Sequence, residues 1–323
     1  MPRFFHEMVC ALDAPEPFAL AIIAGAKGSS PQRRGAKALF FADGRIVGTL
    51  GGGCLEAEVR DRARQALITG KPEWFELLLD HDFGWDDGLI CGGKVQGVIL
   101  PRVREAHGIW RALAQDDRPK HWGIRPDFTV SWAEVGDAGD WLYREHALPP
   151  CALWIAGSGH VAQAVAPLGV QLDFEVTVFD DRPALASHRY FPEAVRLRVG
   201  DWDQLLAEPM PVQPVFGLIV TRGHNHDASV LRRWIGQPFA FLGMIGSTRK
   251  RRIIFSQFLE EKLASEEQLN RVACPVGVDI RATSVPEIAV SVVAQLIKER
   301  AAIVDPFADR PWNMAGTNPG GGT

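Results

Sequence analysis

The sequence has few cysteines and no long uninterrupted apolar run. Its 323 residues include five cysteines, at positions 10, 54, 91, 151 and 274. They are odd in number and never form a Cys-x-x-Cys pair, which argues against a disulfide framework and a structural zinc site. We therefore expect a reducing compartment, the cytoplasm. Without an apolar segment of membrane-crossing length or a signal-like core near the N terminus, we expect neither a membrane span nor a signal peptide.

The chain also lacks an excess of positive charge. Its formal net charge is −4 at pH 7, and no large basic region is present. Nucleic acid is therefore not an expected partner. Hydrophobic residues make up 46% and charged residues 23%, which is typical of a globular protein, and the length predicts about two domains.

A run of three glycines is the most informative feature of the first half. Gly51, Gly52 and Gly53 follow a predicted strand over residues 45–50, and Cys54 then opens a predicted helix. Backbone N–H groups at such a helix start favour an anion such as phosphate. A thiol in this position is favoured as the thiolate. A tight turn around a small buried cysteine is the alternative interpretation.

The same predicted domain contains two further polar or glycine-rich segments. One is the loop over residues 25–37, and the other is a second cysteine followed by two glycines. Taken alone, either cysteine is best explained as a small buried residue. Together with the polar loop, the two cysteines favour a ligand site. Its further candidates are Ser29, Ser30, Arg33, Cys91, Gly92 and Gly93.

From Cys151 onward, strands and helices alternate. A Gly157-x-Gly159-x-x-Ala162 motif follows an apolar strand and opens a helix, and Asp180 ends the next strand about 23 residues after Gly157. A dinucleotide-binding fingerprint has its ribose-binding carboxylate about 20 residues on. The pattern predicts a Rossmann-type unit but leaves its ligand open. The candidates here are Gly157, Gly159, His160 and Asp180.

Two later junctions between a strand and a helix add candidate residues. Gly246 and Ser247 precede a helix with four basic residues in its first turns, Arg249 among them. Positive side chains are unfavourable at a helix N terminus unless an anion binds nearby, although a solvated basic face is the alternative. His224 follows another strand, where open α/β sheets bind ligands. His226 and Asp227 follow it closely, but two histidines two positions apart without other clear ligands do not predict a metal site.

These patterns predict an α/β protein in two domains. We expect a small N-terminal α/β domain over residues 1–104 and a Rossmann-like C-terminal domain with a doubly wound parallel sheet over residues 151–304. A connecting segment over residues 105–150 and a disordered tail over residues 305–323 complete the prediction.

Motifs from both halves together resemble the XdhC and CoxI family. They are GSSPQRRGAK (28–37), DGRIVGTLGGGCLE (43–56), LICGGKVQGVIL (89–100), IAGSGHVAQAVAPL (155–168), VTVFDDRP (176–183), TRGHNHD (221–227), GMIGSTRKR (243–251) and CPVGVDIRATSVPEIAVSVVAQL (274–296). In many relatives a His and an Asp precede the matching His224 of TRGHNHD. Here Arg222 and Gly223 stand in those places.

The resemblance implies a non-catalytic chaperone for the molybdenum cofactor, a pterin dithiolene with a phosphate. Such a protein holds the cofactor for sulfuration by a cysteine desulfurase and inserts it into xanthine dehydrogenase, and a homodimer is expected. Molybdenum with terminal sulfur accepts a thiolate neighbour. Cys54 is then the first candidate for contact with molybdenum, and Cys91 the second.

Three other functions are compatible with parts of the sequence. One is an NAD(P)-dependent oxidoreductase that uses the Rossmann domain, although no Tyr–Lys or nucleophilic-cysteine motif supports it. Another is a sulfurtransferase with a persulfide on Cys54. The third is a structural adaptor in which the glycine-rich loops are only turns.

Overall fold

The computed structural model describes residues 2–28, 32–79, 93–115, 118, 120–134 and 139–304. The chain divides into two compact units, the first reaching to Ala147 and the second spanning Leu148–Val304. Four predicted site residues, Ser29, Ser30, Cys91 and Gly92, lie outside the described residues, as does the predicted tail. Among the described helices, none has both the length and the apolar composition needed to cross a bilayer.

The first unit is built on an antiparallel five-stranded sheet with the order β3-β2-β1-β5-β4. Its strands are β1 (Phe18–Lys27), β2 (Lys37–Phe41), β3 (Ile46–Gly48), β4 (Glu73–Leu79) and β5 (Gly93–Leu100). Helices α1 (Pro2–Asp13) and α2 (Gly53–Thr69) contribute to separate cores. Leu20 and Ile22 pack with α1, whereas Ala21 and Ile23 pack with α2. Because side chains alternate across a strand, burial of both faces explains why β1 is apolar throughout.

The described residues between 103 and 147 contribute to the core of the first unit. They form a short 3-10 helix (Val103–Ala106), helix α3 (His107–Gln115) and a three-stranded sheet of β6 (Lys120–Ile124), β7 (Val130–Trp132) and β8 (Tyr143–Ala147). Trp110 and Trp122 pack with Phe5 of α1 at ring-centroid distances of 6.3 and 6.1 Å. The sequence prediction of a connecting segment over 105–150 therefore differs from the structure. These aromatic side chains are buried by contacts with α1, which lies about a hundred residues away in the sequence.

The second unit contains a parallel six-stranded sheet with the order β11-β10-β9-β12-β13-β14. Its strands are β9 (Ala152–Ala156), β10 (Glu175–Asp180), β11 (Arg196–Val199), β12 (Val215–Ile219), β13 (Phe241–Met244) and β14 (Val272–Ala273). Its helices are α4 (His160–Gln171), α5 (Trp202–Leu205), α6 (His224–Trp234), α7 (Thr248–Glu260), α8 (Glu266–Asn270) and α9 (Val285–Val304). Residues of α4 and α9 pack in one core and those of α6 and α7 in another. The predicted α/β class and doubly wound Rossmann-like sheet are confirmed.

Candidate functional site

The glycine turn after β9 has the geometry of a Rossmann phosphate loop. Gly157 has a φ of +115°, and a Cβ there would lie 2.4 Å from the carbonyl oxygen of Val220. Only glycine fits this position, because both the backbone angle and the neighbouring loop exclude a side chain. Gly159 is different: a Cβ there would meet no atom within 4 Å. The turn therefore leaves open space next to the start of α4 at His160.

Asp180, the predicted ribose-binding acid, is buried and fully engaged within the protein. Its carboxylate is 1% exposed, and Oδ2 accepts a 2.7 Å hydrogen bond from the backbone N–H of Ser158. Arg182 donates to Oδ1 from Nε and to Oδ2 from Nη2, both at 2.8 Å. Burial raises the pKa of Asp180, but the bonds from Arg182 and Ser158 outweigh burial and bring the pKa down to about 2. The carboxylate is thus ionised and already neutralised by Arg182.

A second ion pair crosses the carboxyl edge of the sheet. Arg222, in the loop after β12, donates from Nη2 to Oδ2 of Asp181 at 2.8 Å. The same nitrogen lies 3.0 Å from Nε2 of His226. Asp181 follows β10, and β9 lies between β10 and β12. The Asp181–Arg222 bridge therefore passes the end of β9, where ligands bind in open α/β sheets.

A cleft of about 460 Å³ lies between the first turns of α6 and α7. Its lining is His224, Asn225, Ala228, Ser247, Arg249, Lys250, Ile253, Ile254 and Gln257. Apolar side chains thus share the cleft with basic and hydroxyl groups. Three predicted site residues, His224, Ser247 and Arg249, are brought together here. Among the described residues, the exposed guanidinium of Arg249 has no ion-pair or hydrogen-bond partner.

The starts of α6 and α7 are joined by a buried ion pair. Asp227 is fully buried and accepts from the backbone N–H of Thr221 at 3.1 Å and from its hydroxyl at 2.6 Å. Lys250 contacts the other carboxylate oxygen of Asp227 and donates to the carbonyl of Ile245 at 3.1 Å. Lys250 also packs over Gly246, where a Cβ would lie 2.8 Å from its Cδ. Of the four basic residues at the start of α7, one is therefore structural.

The glycine run of the first unit is occupied by a side chain of its own helix. Gly51, Gly52 and Gly53 all have positive φ angles, of 105°, 74° and 60°. Oε2 of Glu56 accepts from the backbone N–H of Leu50 at 3.0 Å and from that of Gly52 at 3.4 Å. Within the predicted anion site, the N–H group of Gly52 is therefore already bonded to a carboxylate, as is that of Leu50 just before the glycine run. Sequence reasoning missed Glu56, although an acid in the first turn of a helix is a recognised N-terminal signal.

Some candidate side chains of the first unit are engaged within the protein, whereas others are accessible. Cys54 is half-buried in the first turn of α2. Lys37 is buried, with Nζ 2.7 Å from Oε2 of Glu145 and 2.8 Å from the carbonyl of Gly35. Arg34 lies over the Tyr143 ring, 5.0 Å from its centroid, whereas Arg33 is exposed. Among the described candidates of this unit that have a side chain, Arg33 is exposed and Cys54 is partly exposed, while Gly93 begins β5.

A metal site is not evident in the part of the chain that the structure describes. There, no group of three or more His, Cys, Asp or Glu side chains is placed to hold a metal ion. His224 and His226 are both in α6, and His226 contacts Arg222.

The fold and these sites define a two-unit α/β protein whose second unit is of the Rossmann type. Residues 153–296 match the family model of the XdhC Rossmann domain, and residues 11–82 match that of the XdhC and CoxI family. The two matches cover about two thirds of the chain. The chain belongs to the XdhC and CoxI family, as the sequence motifs predicted.

Curated relatives extend this similarity over most of the chain. It is 31% identical over 283 residues to the uncharacterized protein YqeB of Escherichia coli (strain K12), covering 87% of this chain and 43% of YqeB. This chain thus spans less than half of YqeB. It is 25% identical to a probable xanthine dehydrogenase subunit of Bacillus subtilis (strain 168), covering 93% of this chain and 98% of that protein. With the molybdenum cofactor insertion chaperone PaoD of E. coli (strain K12), it shares 26% identity over 85% of this chain and 80% of PaoD.

A solved structure shares the fold. It is a crystal structure from Bacillus halodurans described as a xanthine dehydrogenase, with a TM-score of 0.76 and 23% identity. The likeness covers 95% of this chain and 98% of the other. At this level of identity, the comparison establishes the fold and nothing more.

Proposed function

We propose that this chain is a molybdenum cofactor chaperone without turnover of its own. In this proposal it holds the cofactor for sulfuration by a cysteine desulfurase and inserts it into xanthine dehydrogenase. The family membership and the similarity to PaoD, a cofactor insertion chaperone by name, support the proposal. The free cysteines of the described residues suit a reducing cytoplasm.

The α6–α7 cleft carries the proposal, because its lining fits the chemistry of the cargo. The cofactor combines a flat heterocycle with a phosphate. At about 460 Å³, the cleft lies within the range of roughly 300–1,000 Å³ that is typical of small-molecule sites. Ala228, Ile253 and Ile254 offer apolar surface for a ring. Arg249 and Ser247, at the start of α7, offer a positive charge and a hydroxyl for a phosphate.

We assign the phosphate to this cleft rather than to the glycine run of the first unit. In the glycine run, Glu56 already accepts from Leu50 and Gly52. A phosphate bound to these two N–H groups would have to displace this carboxylate, and a phosphate bound beside them would be repelled by its negative charge. In the cleft, by contrast, the Arg249 guanidinium has no partner among the described residues.

Cys54 stays the predicted thiol contact to molybdenum, as a hypothesis separate from the phosphate site. It is half-buried and free. A soft thiolate is a suitable ligand for molybdenum that carries sulfur. Cys91 is the second prediction for this role and lies outside the described residues.

The arrangement around Asp180 argues against the alternative of an NAD(P)-dependent oxidoreductase. In a dinucleotide-binding Rossmann domain, this carboxylate accepts hydrogen bonds from the ribose hydroxyls. Here both of its oxygens are bonded to Arg182, and one also to Ser158. A dinucleotide would have to break a buried bidentate ion pair to gain the same contact.

The test is an anaerobic calorimetric titration of the purified chain with molybdenum cofactor and, separately, with NADH and NADPH. We expect saturable binding of the cofactor and none of the dinucleotides. Arg249→Ala should weaken cofactor binding by at least tenfold. Arg252→Ala, which removes an exposed cation of the same helix outside the cleft lining, is the matched control.

Three results would separate the parts of the proposal. Tight dinucleotide binding without cofactor binding would overturn the chaperone proposal in favour of the NAD(P)-dependent oxidoreductase. If Arg249→Ala and Arg252→Ala weakened cofactor binding equally, the assignment of the phosphate to the α6–α7 cleft would be wrong. If Cys54→Ala bound the cofactor as tightly as the parent, the thiol contact would be wrong.

Delivery to the target is tested separately. The cofactor-loaded chain should activate apo xanthine dehydrogenase only after the loaded chain has been treated with cysteine desulfurase and cysteine.

A further inference from the structure

The last helix of the second unit has an apolar face that the residues described in the structure leave exposed. One side of α9 packs in the core through Ala289, Val292 and Leu296. A different side carries a row of apolar residues, the α9 stripe, made of Pro286, Val290, Ala294, Ile297 and Ala301. Their spacings of four, four, three and four residues place them along a single face of a helix. Val290 is 54% exposed and Ile297 is 40% exposed.

Two opposite charges border this stripe on one side. Glu287 and Lys298 are both exposed. At 100° per residue, they lie roughly 60–80° from the stripe's centre and on the same side of it. Backbone hydrogen bonds from Thr283 and Ser284 lower the pKa of Glu287 to about 2, so its carboxylate is charged at neutral pH. The uncharged stripe thus has a negative charge on its rim near the N-terminal end and a positive charge near the C-terminal end.

The order of residues along the stripe suits pairing with an identical helix. The midpoint between Val290 and Ile297 coincides with the midpoint between Pro286 and Ala301. A two-fold axis through this point, beside Ala294, therefore sets both pairs opposite each other in an antiparallel arrangement. The same axis brings Glu287 of one copy to within about 3 Å, measured along the helix axis, of the level of Lys298 in the other. Both lie on the same rim, so two symmetric ion pairs form.

We propose that the α9 stripe is the interface of a homodimer in which two copies of α9 pack antiparallel across this axis. The small side chain of Ala294 at the axis permits close approach of the two helices, while Val290 and Ile297 fill the contact on either side. Charge complementarity between Glu287 and Lys298 selects the antiparallel direction over the parallel one. The inference locates the expected dimer contact and does not depend on the proposed cargo.

The first test is the oligomeric state of the full chain by sedimentation velocity across a range of concentrations. We expect a dimer, and we expect Ile297→Lys to raise its dissociation constant at least tenfold. The matched control is Ile68→Lys, which changes an isoleucine of α2 that is 71% exposed and lies in the first unit. Both changes are at exposed positions, so thermal unfolding should show that both variants fold.

The second test is disulfide crosslinking, which shows which residues of the two α9 helices lie at the two-fold axis. Under mild oxidation, Ala294→Cys should form a covalent dimer, because the two new thiols face each other at the axis. Ala301→Cys should not exceed the parent chain, because its two copies lie about 22 Å apart along the helix axis. A monomeric parent chain would overturn the proposal. So would a dimer that Ile297→Lys leaves intact, or equal crosslinking of the two cysteine variants.

Discussion

Arg182 forms a bidentate ion pair with Asp180, with Nε–Oδ1 and Nη2–Oδ2 distances of 2.8 Å. Asp180 occupies the place at which a dinucleotide-binding Rossmann domain has its ribose-binding acid. In this chain its carboxylate instead links the end of β10 to the glycine turn through Ser158. The acid of the fingerprint therefore has a structural partner within the unit.

The Asp180–Arg182 pair predicts a pH-dependent stability. The pKa of Asp180 is about 2 in the folded protein, compared with about 4 for an unfolded chain. The ionised form thus contributes about 3 kcal/mol well above pH 4, and this contribution is lost as the pH falls toward 2. We expect Asp180→Asn to lower the free energy of unfolding in urea at pH 7. The difference in unfolding free energy between Asp180→Asn and the parent chain should become smaller between pH 4 and pH 3. A gap that stays constant down to pH 3 would contradict this account.

The two glycines of the turn after β9 should respond differently to alanine. Gly157→Ala introduces a Cβ 2.4 Å from the carbonyl oxygen of Val220, at a φ of +115°. We expect a loss of about 3 kcal/mol or more in the free energy of unfolding. Gly159→Ala meets no atom within 4 Å and has a φ of −73°, so its effect should stay within about 1 kcal/mol. Urea denaturation of both variants checks the contrast, and equal losses would show that the turn is described wrongly.

Removing Lys250 should be costly, because it leaves Asp227 buried without its cation. Asp227 is 0% exposed in this pair. Loss of one partner of a buried ion pair costs about 3–5 kcal/mol. We expect this loss in unfolding free energy for Lys250→Met. Adding Asp227→Asn should recover part of it, since an amide oxygen still accepts from Thr221 while the charge is gone. If the double variant is no more stable than the single one, the charge of Asp227 is not the cause.

Glu56 should determine whether the glycine run can bind an anion. Glu56→Ala frees the N–H groups of Leu50 and Gly52, and we expect it to cost about 1 kcal/mol at this half-buried site. Glu56→Gln keeps an acceptor oxygen and should cost less. Added inorganic phosphate should then raise the melting temperature of Glu56→Ala more than that of the parent. The same phosphate response in all three proteins would show that Glu56 does not compete with anions.

The elements that the sequence predicts best are those with strong local signals. The Asp43-Gly44 turn predicts the hairpin of β2 and β3, which the structure confirms as an antiparallel pair. The spacing from Gly157 to Asp180 predicts the Rossmann turn, which the structure also shows. Ser284 and Glu287 bond reciprocally at the start of α9, as their capping-box spacing predicts.

Very short strands and contacts between distant parts of the chain could not be predicted from the sequence. Strand β11 is four residues long and β14 only two, too short for a periodic pattern to appear. The place of residues 103–147 in the first unit depends on the packing of Trp110 and Trp122 around Phe5. It also depends on the Lys37–Glu145 ion pair, which joins positions more than a hundred residues apart.

The sequence by itself determined the α/β class, the family and the Rossmann turn, and its candidate residues include three of the nine that line the α6–α7 cleft. Each of these follows from patterns within a few tens of residues, which local backbone preferences and apolar periodicity dictate. Only the tertiary structure decided which charges are engaged. It pairs Asp180 with Arg182, Asp227 with Lys250, and Glu56 with the glycine run, and it leaves Arg249 exposed beside the cleft. Whether a charged group is neutralised inside a protein depends on which atoms the fold brings within about 3 Å of it. The sequence gives only the residue type, so it does not distinguish a paired arginine or aspartate from an unpaired one.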